Sequence, residues 1–186
     1  MFRSLVLALL ATSALRAADW SYSKWTNPMS GKLLDRFALQ GRYLSRPALA
    51  EDGTPSLLAF CSEGQFRNGE FQLGAVAQPV VTYSLKGAPQ AQIHMRIGSH
   101  AVETGFWEYS NNGQVLFFDR NQFDKLLTGK LLGHPSRAGS LVSAVVLGVV
   151  ESAGNEVVVQ FDMPANDSAL ISECGLEWGK EKRSGH

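Results

Sequence analysis

The sequence lacks the local motifs by which many enzymes and cofactor-binding proteins are recognised. It contains no C-x-x-C pair for redox chemistry, no G-x-x-x-x-G-K-S/T loop for nucleotide phosphates and no G-x-S-x-G turn for a nucleophilic serine. We therefore predict no catalytic residue, no resident metal and no cofactor. A Ser/His/Asp triad needs no local motif, so a small secreted hydrolase stays open as an alternative.

The chain also lacks an excess of charge of either sign. Its 17 basic residues balance 17 acidic ones, and two of the basic residues, Arg3 and Arg16, lie within the first 18 positions. The remainder is mildly acidic, whereas the nucleic-acid backbone requires a basic face on its partner. The sequence therefore predicts no nucleic-acid partner.

No apolar run is long enough to span a membrane. Residues 5–11 form an apolar run that follows Arg3 and precedes small residues, which is the pattern of a secretory signal peptide. A membrane anchor is the alternative, but a spanning helix needs about 20 apolar residues. We predict a signal peptide over residues 1–18, cleaved after Ala17 or Ala18, and a periplasmic or secreted mature protein with no stable membrane span.

Cysteine is scarce, and the two cysteines, Cys61 and Cys174, lie far apart in the chain. An even number of cysteines in an exported protein favours a disulfide, and two separate buried thiols are the alternative. A bond between them would close a loop of about 100 residues, which contributes up to about 4.7 kcal/mol in the chain-entropy model. We therefore predict a stabilising disulfide between Cys61 and Cys174.

Many short β-type segments, separated by turns, fill the rest of the chain. The predicted strands cover residues 33–44, 56–61, 66–73, 79–85, 92–97, 100–107, 114–118, 141–150 and 156–163. One segment has clear helical spacing, residues 119–132 with Asp119 as N-cap, and a short helix follows Pro164 and leads to Cys174. We predict a mostly β fold, an antiparallel β-sandwich or partly open barrel with one or two short helices. It forms a single domain over residues 19–178, followed by a flexible charged tail over residues 179–186.

The order of several short landmarks resembles a known family. The landmarks are the segments 55–61 and 81–85, the pair Phe117-Phe118, the segment 131–133, the pair Phe161-Asp162, and Cys174-Gly175 with Trp178. In this order, and with the paired cysteines, the chain resembles the VasI/TagO family of type VI secretion-associated proteins, roughly from Trp20 to Trp178. The resemblance implies a non-enzymatic accessory protein of the cell envelope with a β-sandwich-like domain. It implies no catalytic residues and a structural role for the two cysteines.

The histidines offer little for metal binding or catalysis. His94 and His100 would lie about 20 Å apart on one straight strand, which is too far to share a metal. If Gly98 and Ser99 form a two-residue hairpin turn, His94 faces Glu103 across the strands, and we expect a solvated pair there. The hydrolase alternative would use His94 or His134 with nearby carboxylates.

Aromatic residues form two clusters, Trp20, Tyr22 and Trp25 at the predicted mature N-terminus and Phe106, Trp107 and Tyr109 near the middle of the chain. The candidate binding residues among them are Trp20, Trp25, Trp107 and Tyr109. Exposed aromatic rings could bind an envelope protein or a glycan, so a glycan-binding β-sandwich is a further alternative. The competing interpretation is that these rings fill the core and seal its edge.

Overall fold

A computed structural model describes residues 19–45, 51, 53–74, 78–110, 114–128, 144–164 and 168–175. The predicted signal peptide, the predicted tail, His134 and Trp178 lie outside these residues. The described part of the chain is mostly antiparallel β structure with two short helices, which confirms the predicted fold class.

The strands follow one another closely along the chain. Eleven of them occur among the described residues: β1 Ser21–Thr26, β2 Leu33–Gln40, β3 Arg42–Tyr43, β4 Ser56–Ser62, β5 Gln65–Gln72, β6 Val81–Tyr83, β7 Pro89–Ile97, β8 Glu103–Tyr109, β9 Val115–Phe118, β10 Ala144–Val150 and β11 Glu156–Asp162. Helix α1, Arg120–Thr128, follows β9, and helix α2, Ser168–Cys174, follows β11.

These strands form one antiparallel sheet that curls into a half-barrel. Its order is β1-β2-β4-β5-β9-β8-β7-β10-β11-β3, and β6 pairs with β7 beside this path. Only Gly41 separates β2 from β3, so the last strand in this order is joined directly to the second one. A Cβ at Gly41 would lie 2.6 Å from the ring of Phe161, so only glycine lets the chain bend this close to the core. The predicted strand over residues 33–44 is therefore two strands joined at a bend.

The inward-pointing side chains form one contiguous core. The ring of Phe71 meets Trp107 and Phe161 edge-on, with centroids 6.5 Å and 5.7 Å apart. Alternate residues of β7, β10 and β11 complete this layer, as the period of two in their sequences predicts: Ala91, Ile93, Met95, Val145, Leu147, Val149, Val157 and Val159.

Helix α1 begins where the sequence predicts. The carboxylate of Asp119 accepts a hydrogen bond from Gln122 N (2.9 Å), and the Gln122 side chain accepts one from Asp119 N (2.7 Å). This reciprocal pair is a capping box. It directs Phe123, Leu126 and Leu127 onto the core. The predicted end of the helix lies beyond residue 128 and outside the described residues.

Helix α2 is fastened to the sheet by the predicted disulfide. Cys61 in β4 is bonded to Cys174 at the end of α2, and both are completely buried. The Arg120 side chain donates a hydrogen bond to the carbonyl oxygen of Gly175 (2.9 Å) and pairs with Asp124. Gly175 has a positive φ of 60°, and a Cβ there would collide with the carbonyl of Gly64. The disulfide, the arginine and the glycine together secure this end of the domain.

The β7–β8 hairpin differs from the predicted one by a single residue. Met95 lies opposite Glu103, and His94 lies opposite Thr104, so the expected His94–Glu103 pair is wrong. The turn contains one residue more than a two-residue loop, and a shift of one residue moves every side chain of the returning strand to the other face of the sheet. Glu103 therefore lies on the opposite face from His94 and pairs with Lys125 of α1.

Candidate functional site

The outer side of β7 and β8 carries a group of polar residues around one aromatic ring. Cross-strand partners share a face of the sheet, and Gln92 lies opposite Phe106 while Gln90 lies opposite Glu108. We call this surface the polar face, and it comprises Gln90, Gln92, His94, Phe106, Glu108 and Glu156. Most strand segments here alternate polar and apolar residues, so the same alternation that fills the core also builds this surface.

His94 and Glu156 meet across an intervening strand. His94 Nδ1 makes a hydrogen bond to Glu156 Oε1, although β10 runs between β7 and β11. Gly148 of β10 lies opposite His94 and has no side chain to block the contact. A Cβ at Gly148 would lie 3.0 Å from Glu156 Oε2. Gly148 therefore provides the space through which the two side chains reach each other.

The second ring nitrogen of His94 is also engaged. His94 Nε2 lies 3.3 Å from the amide nitrogen of Gln92. Because an amide nitrogen only donates, Nε2 accepts in this arrangement and Nδ1 carries the proton that Glu156 accepts. A hydrolytic histidine instead needs Nε2 directed at a nucleophile. Neither ring nitrogen contacts a hydroxyl group in the described part of the chain.

Phe106 is the exposed centre of the polar face. Its side chain is 46% exposed, whereas the next residue, Trp107, is 2% exposed because it points into the core. The Phe106 ring is thus held on a rigid strand beside the amide of Gln92. Rings in such positions can stack on apolar faces of a ligand while neighbouring amides and carboxylates bind its polar groups.

A metal site is not formed by the described residues. Among them, no group of three or more histidine, cysteine, aspartate or glutamate side chains is placed to hold a metal ion. His94 and Glu156 alone would supply two ligands, and a zinc site takes at least three from the protein. The side chains of the polar face can donate and accept hydrogen bonds, and the Phe106 ring can stack on a ligand.

The four predicted binding aromatics do not come together. Trp20 lies directly before β1 and Trp25 lies near its end, and four strands lie between β1 and β8 in the sheet. Trp107 lies in the core, as the competing interpretation of the aromatic residues predicts, so its ring is not accessible to a ligand. Tyr109 is half-buried, and this burial raises the pKa of its phenol above the ordinary value.

The N-terminal aromatics pack against both sides of the sheet edge. The Trp25 ring lies against Phe60 on the outer side, with centroids 5.1 Å apart, and is 37% exposed. Trp20 meets Phe123 of α1 at 6.3 Å on the inner side. The indole N–H of Trp20 is buried and has no hydrogen-bond partner among the described residues. These rings therefore serve packing at the edge, with Trp25 as the more accessible of the two.

Sequence reasoning did not identify Phe106, Gln92 or Glu156 as members of one site. The alternation of glutamine, histidine and arginine along β7 was a usable signal, because polar residues at every second position indicate a solvated face. Glu156 carried no such signal, since its contact with His94 depends on the pairing of three strands.

Comparison with protein-family models, with curated proteins and with solved structures finds no match. Among the residues that the structure describes, no helix is long and apolar enough to cross a membrane.

Proposed function

We propose that this protein is an exported, non-enzymatic binding protein of the cell envelope. The buried disulfide between Cys61 and Cys174 supports an oxidising compartment, because such bonds persist in periplasmic and extracellular proteins and are rare in the cytosol. The predicted signal peptide leads to the same compartment. An accessory role beside a type VI secretion apparatus is the more specific form of this proposal, and it depends on the VasI/TagO-like landmarks.

The observation that carries the binding role is the setting of Phe106. An apolar ring that is 46% exposed on a rigid strand, and that faces an amide, is suited to recognition. The hydrogen-bonded pair of His94 and Glu156 resembles a catalytic dyad. However, His94 Nε2, the nitrogen that would have to face a nucleophile, contacts Gln92 instead. In our proposal the pair braces the polar face and performs no reaction.

Affinity capture from envelope extracts tests this role. We expect the purified protein to retain a partner that the Phe106→Ala variant loses. Leu33→Ala is the matched control, because Leu33 is also an exposed apolar strand residue but lies on β2, away from β7 and β8 in the sheet order. A partner kept by Phe106→Ala, or no partner in repeated native extracts, would contradict the proposal.

A glycan is the second candidate ligand, favoured by the amides and the carboxylate around the ring. Gln90, Gln92 and Glu108 can exchange hydrogen bonds with sugar hydroxyls while Phe106 stacks on the sugar ring. A glycan array should then show binding that Phe106→Ala and Gln92→Ala both weaken. An array without signal for the unmodified protein would exclude this form of the proposal.

The hydrolase alternative is tested on the same protein. We expect no turnover of ester, peptide or glycan substrates. Turnover that disappears in both His94→Ala and Glu156→Gln would replace the binding role by a catalytic one.

A further inference from the structure

The outward surface of the polar face continues beyond β8 onto the next two strands of the sheet. Phe117 of β9 lies opposite Glu108 of β8 on one side and opposite Glu70 of β5 on the other. Leu116 and Phe118, the neighbours of Phe117 in the chain, lie in the core, so Phe117 itself points outward. Cross-strand partners share a face, so both carboxylates point outward with the ring. We call these three residues, Glu70, Phe117 and Glu108, the Phe117 row.

The two outward rings of this surface, Phe106 and Phe117, lie near each other without a partner ring. Phe106 is two residues from Glu108 on the same strand face, which places it diagonally across from Phe117. Such diagonal neighbours lie about 7–8 Å apart. Within the described residues, neither ring stacks on another aromatic ring. A ligand on this face can therefore reach both.

The two carboxylates of the Phe117 row have no cation beside them. Glu108 is exposed and makes no hydrogen bond or ion pair with any other described residue. Glu70 accepts a hydrogen bond from the side-chain amide of Gln72 (2.8 Å) and belongs to none of the ion pairs within the described ranges. Their other cross-strand partners, Gln90 and Leu58, are uncharged. No cross-strand neighbour therefore balances the negative charge of the row.

We propose that the partner of the polar face contributes a cationic side chain, the arginine or lysine of a basic segment, which lies over the Phe117 ring between Glu70 and Glu108. This inference rests on the proposed binding role and specifies the chemistry of the partner. The face of a phenyl ring attracts a cation within about 6 Å of its centroid. Neighbouring strands lie about 4.8 Å apart, so the backbones that carry the two carboxylates are roughly 10 Å apart, with the ring midway.

The alternation of carboxylate, ring and carboxylate is what selects a cation. Carboxylates alone would indicate only a solvated surface, and a ring alone would suit any apolar ligand. An acidic segment would be repelled from both sides of the ring, and a neutral sugar would leave both charges unused. Arginine fits this setting better than lysine, because its planar guanidinium stacks on a ring and pairs with carboxylates through two hydrogen bonds.

Selection from a random peptide display library tests the chemistry without assuming a sequence. We expect the peptides that the purified protein retains to be enriched in arginine and lysine. The double variant Glu70→Gln with Glu108→Gln should lose that enrichment. Glu63→Gln with Glu173→Gln is the matched control, because it removes the same charge from two exposed carboxylates, one in the β4–β5 turn and one on α2.

A synthetic copy of a retained peptide gives the size of the effect. We expect the double variant of Glu70 and Glu108 to weaken its binding by about tenfold, and Phe117→Leu to weaken it by about threefold. Replacing the arginines of the peptide by neutral citrulline should match the carboxylate variant. The control variant should bind like the unmodified protein, and circular dichroism should confirm an unchanged fold in each case.

Several outcomes would overturn the inference. Retained peptides without an excess of basic residues would do so, and so would a basic peptide that both double variants bind equally well, since long-range attraction alone would then explain it. Capture of an envelope partner that Phe106→Ala loses and the variant of Glu70 and Glu108 keeps would overturn the inference but leave the binding role in place. Absence of any partner from native extracts would count against the binding role itself, so the two proposals fail on different results.

Discussion

The two aromatic clusters look alike in the sequence and behave differently in the fold. In the mid-chain cluster, Phe106 and Trp107 are neighbours on β8, and they point to opposite faces, one to solvent and one into the core. In the N-terminal cluster, Tyr22 and Trp25 lie on a strand with only one neighbour, so both of its faces are exposed. The comparison teaches that the position of the strand in the sheet and the face to which a residue points, more than residue type, decide whether a ring is buried in the core or exposed.

The largest expected effect is a difference in stability between substitutions of Trp107 and of its neighbour Phe106. Trp107→Ala should lower the free energy of unfolding by about 3–5 kcal/mol, because it empties a site in contact with Phe71 and Phe118. Phe106→Ala should cost under about 1 kcal/mol. Urea denaturation measures both, and Trp107→Phe gives a milder variant if the alanine chain does not fold. Equal losses at the two positions would contradict the opposite faces.

Removing the disulfide should loosen the region around the N-terminal cluster more than the mid-chain cluster. Cys61→Ala combined with Cys174→Ala should lower the free energy of unfolding by about 2–4 kcal/mol. Cys61 neighbours Phe60, on which Trp25 packs, whereas β7 and β8 lie elsewhere in the sheet. Hydrogen exchange should therefore rise first in α2, β4 and β1. Exchange that rises first in β7 and β8 would refute this order.

Truncating Trp25 should have an intermediate effect. Its ring is partly exposed but lies against Phe60, so Trp25→Ala should cost roughly 1–2 kcal/mol in unfolding free energy. Met29→Ala is a suitable control, because Met29 is exposed in the adjacent β1–β2 turn. A neutral Trp25→Ala would show that the N-terminal rings contribute nothing to packing and would restore Trp25 as a binding residue.

The smallest effect concerns alkaline pH at β1. The Tyr22 hydroxyl donates to Asp35 Oδ1 (2.7 Å), and this hydrogen bond, followed by desolvation and the charges of Asp35 and Glu173, raises the pKa of Tyr22 above 10.0. The folded chain thus holds this proton more tightly than the unfolded chain. The resulting stabilisation is present below pH 10 and is lost as the pH rises through the folded pKa.

The Tyr22→Phe variant should not show this loss of stability at alkaline pH. Above pH 10 the unfolding free energy of the unmodified protein should fall more steeply than that of the variant, and Asp35→Asn should reduce the difference. Identical slopes for all three proteins above pH 10 would show that the Tyr22–Asp35 bond does not persist in solution.

Much of the fold could be predicted because most strands have one buried side. The alternation in Gln65–Gln72 and Glu156–Asp162 indicated strands correctly, and Asp119 marked the start of α1. Ser21–Thr26 carried no such alternation and was not predicted, since an edge strand exposed on both sides needs none. The apolar content of residues 79–85 predicted a longer strand than β6, because propensity does not distinguish an edge from the core.

The candidate site was less predictable, because it depends on register. A single extra residue in the β7–β8 turn replaced the expected His94–Glu103 pair by separate contacts on opposite faces. Trp107 was predicted to be a binding residue and Phe106 was not, because the sequence does not show which of two neighbouring rings on a strand faces outward.

The sequence by itself determined the strand-rich class, the start of the main helix and the pair of cysteines that could join, because each depends on local spacing or on residue type alone. Only the tertiary structure decided that Phe106 faces outward, that His94 reaches Glu156 over Gly148, and that Val81 and Tyr83 of β6 are exposed. These outcomes depend on segments that are far apart in the sequence pairing in one exact register. The two-residue alternation of a strand shows which of its residues share a face, but it does not show which strand lies beside it.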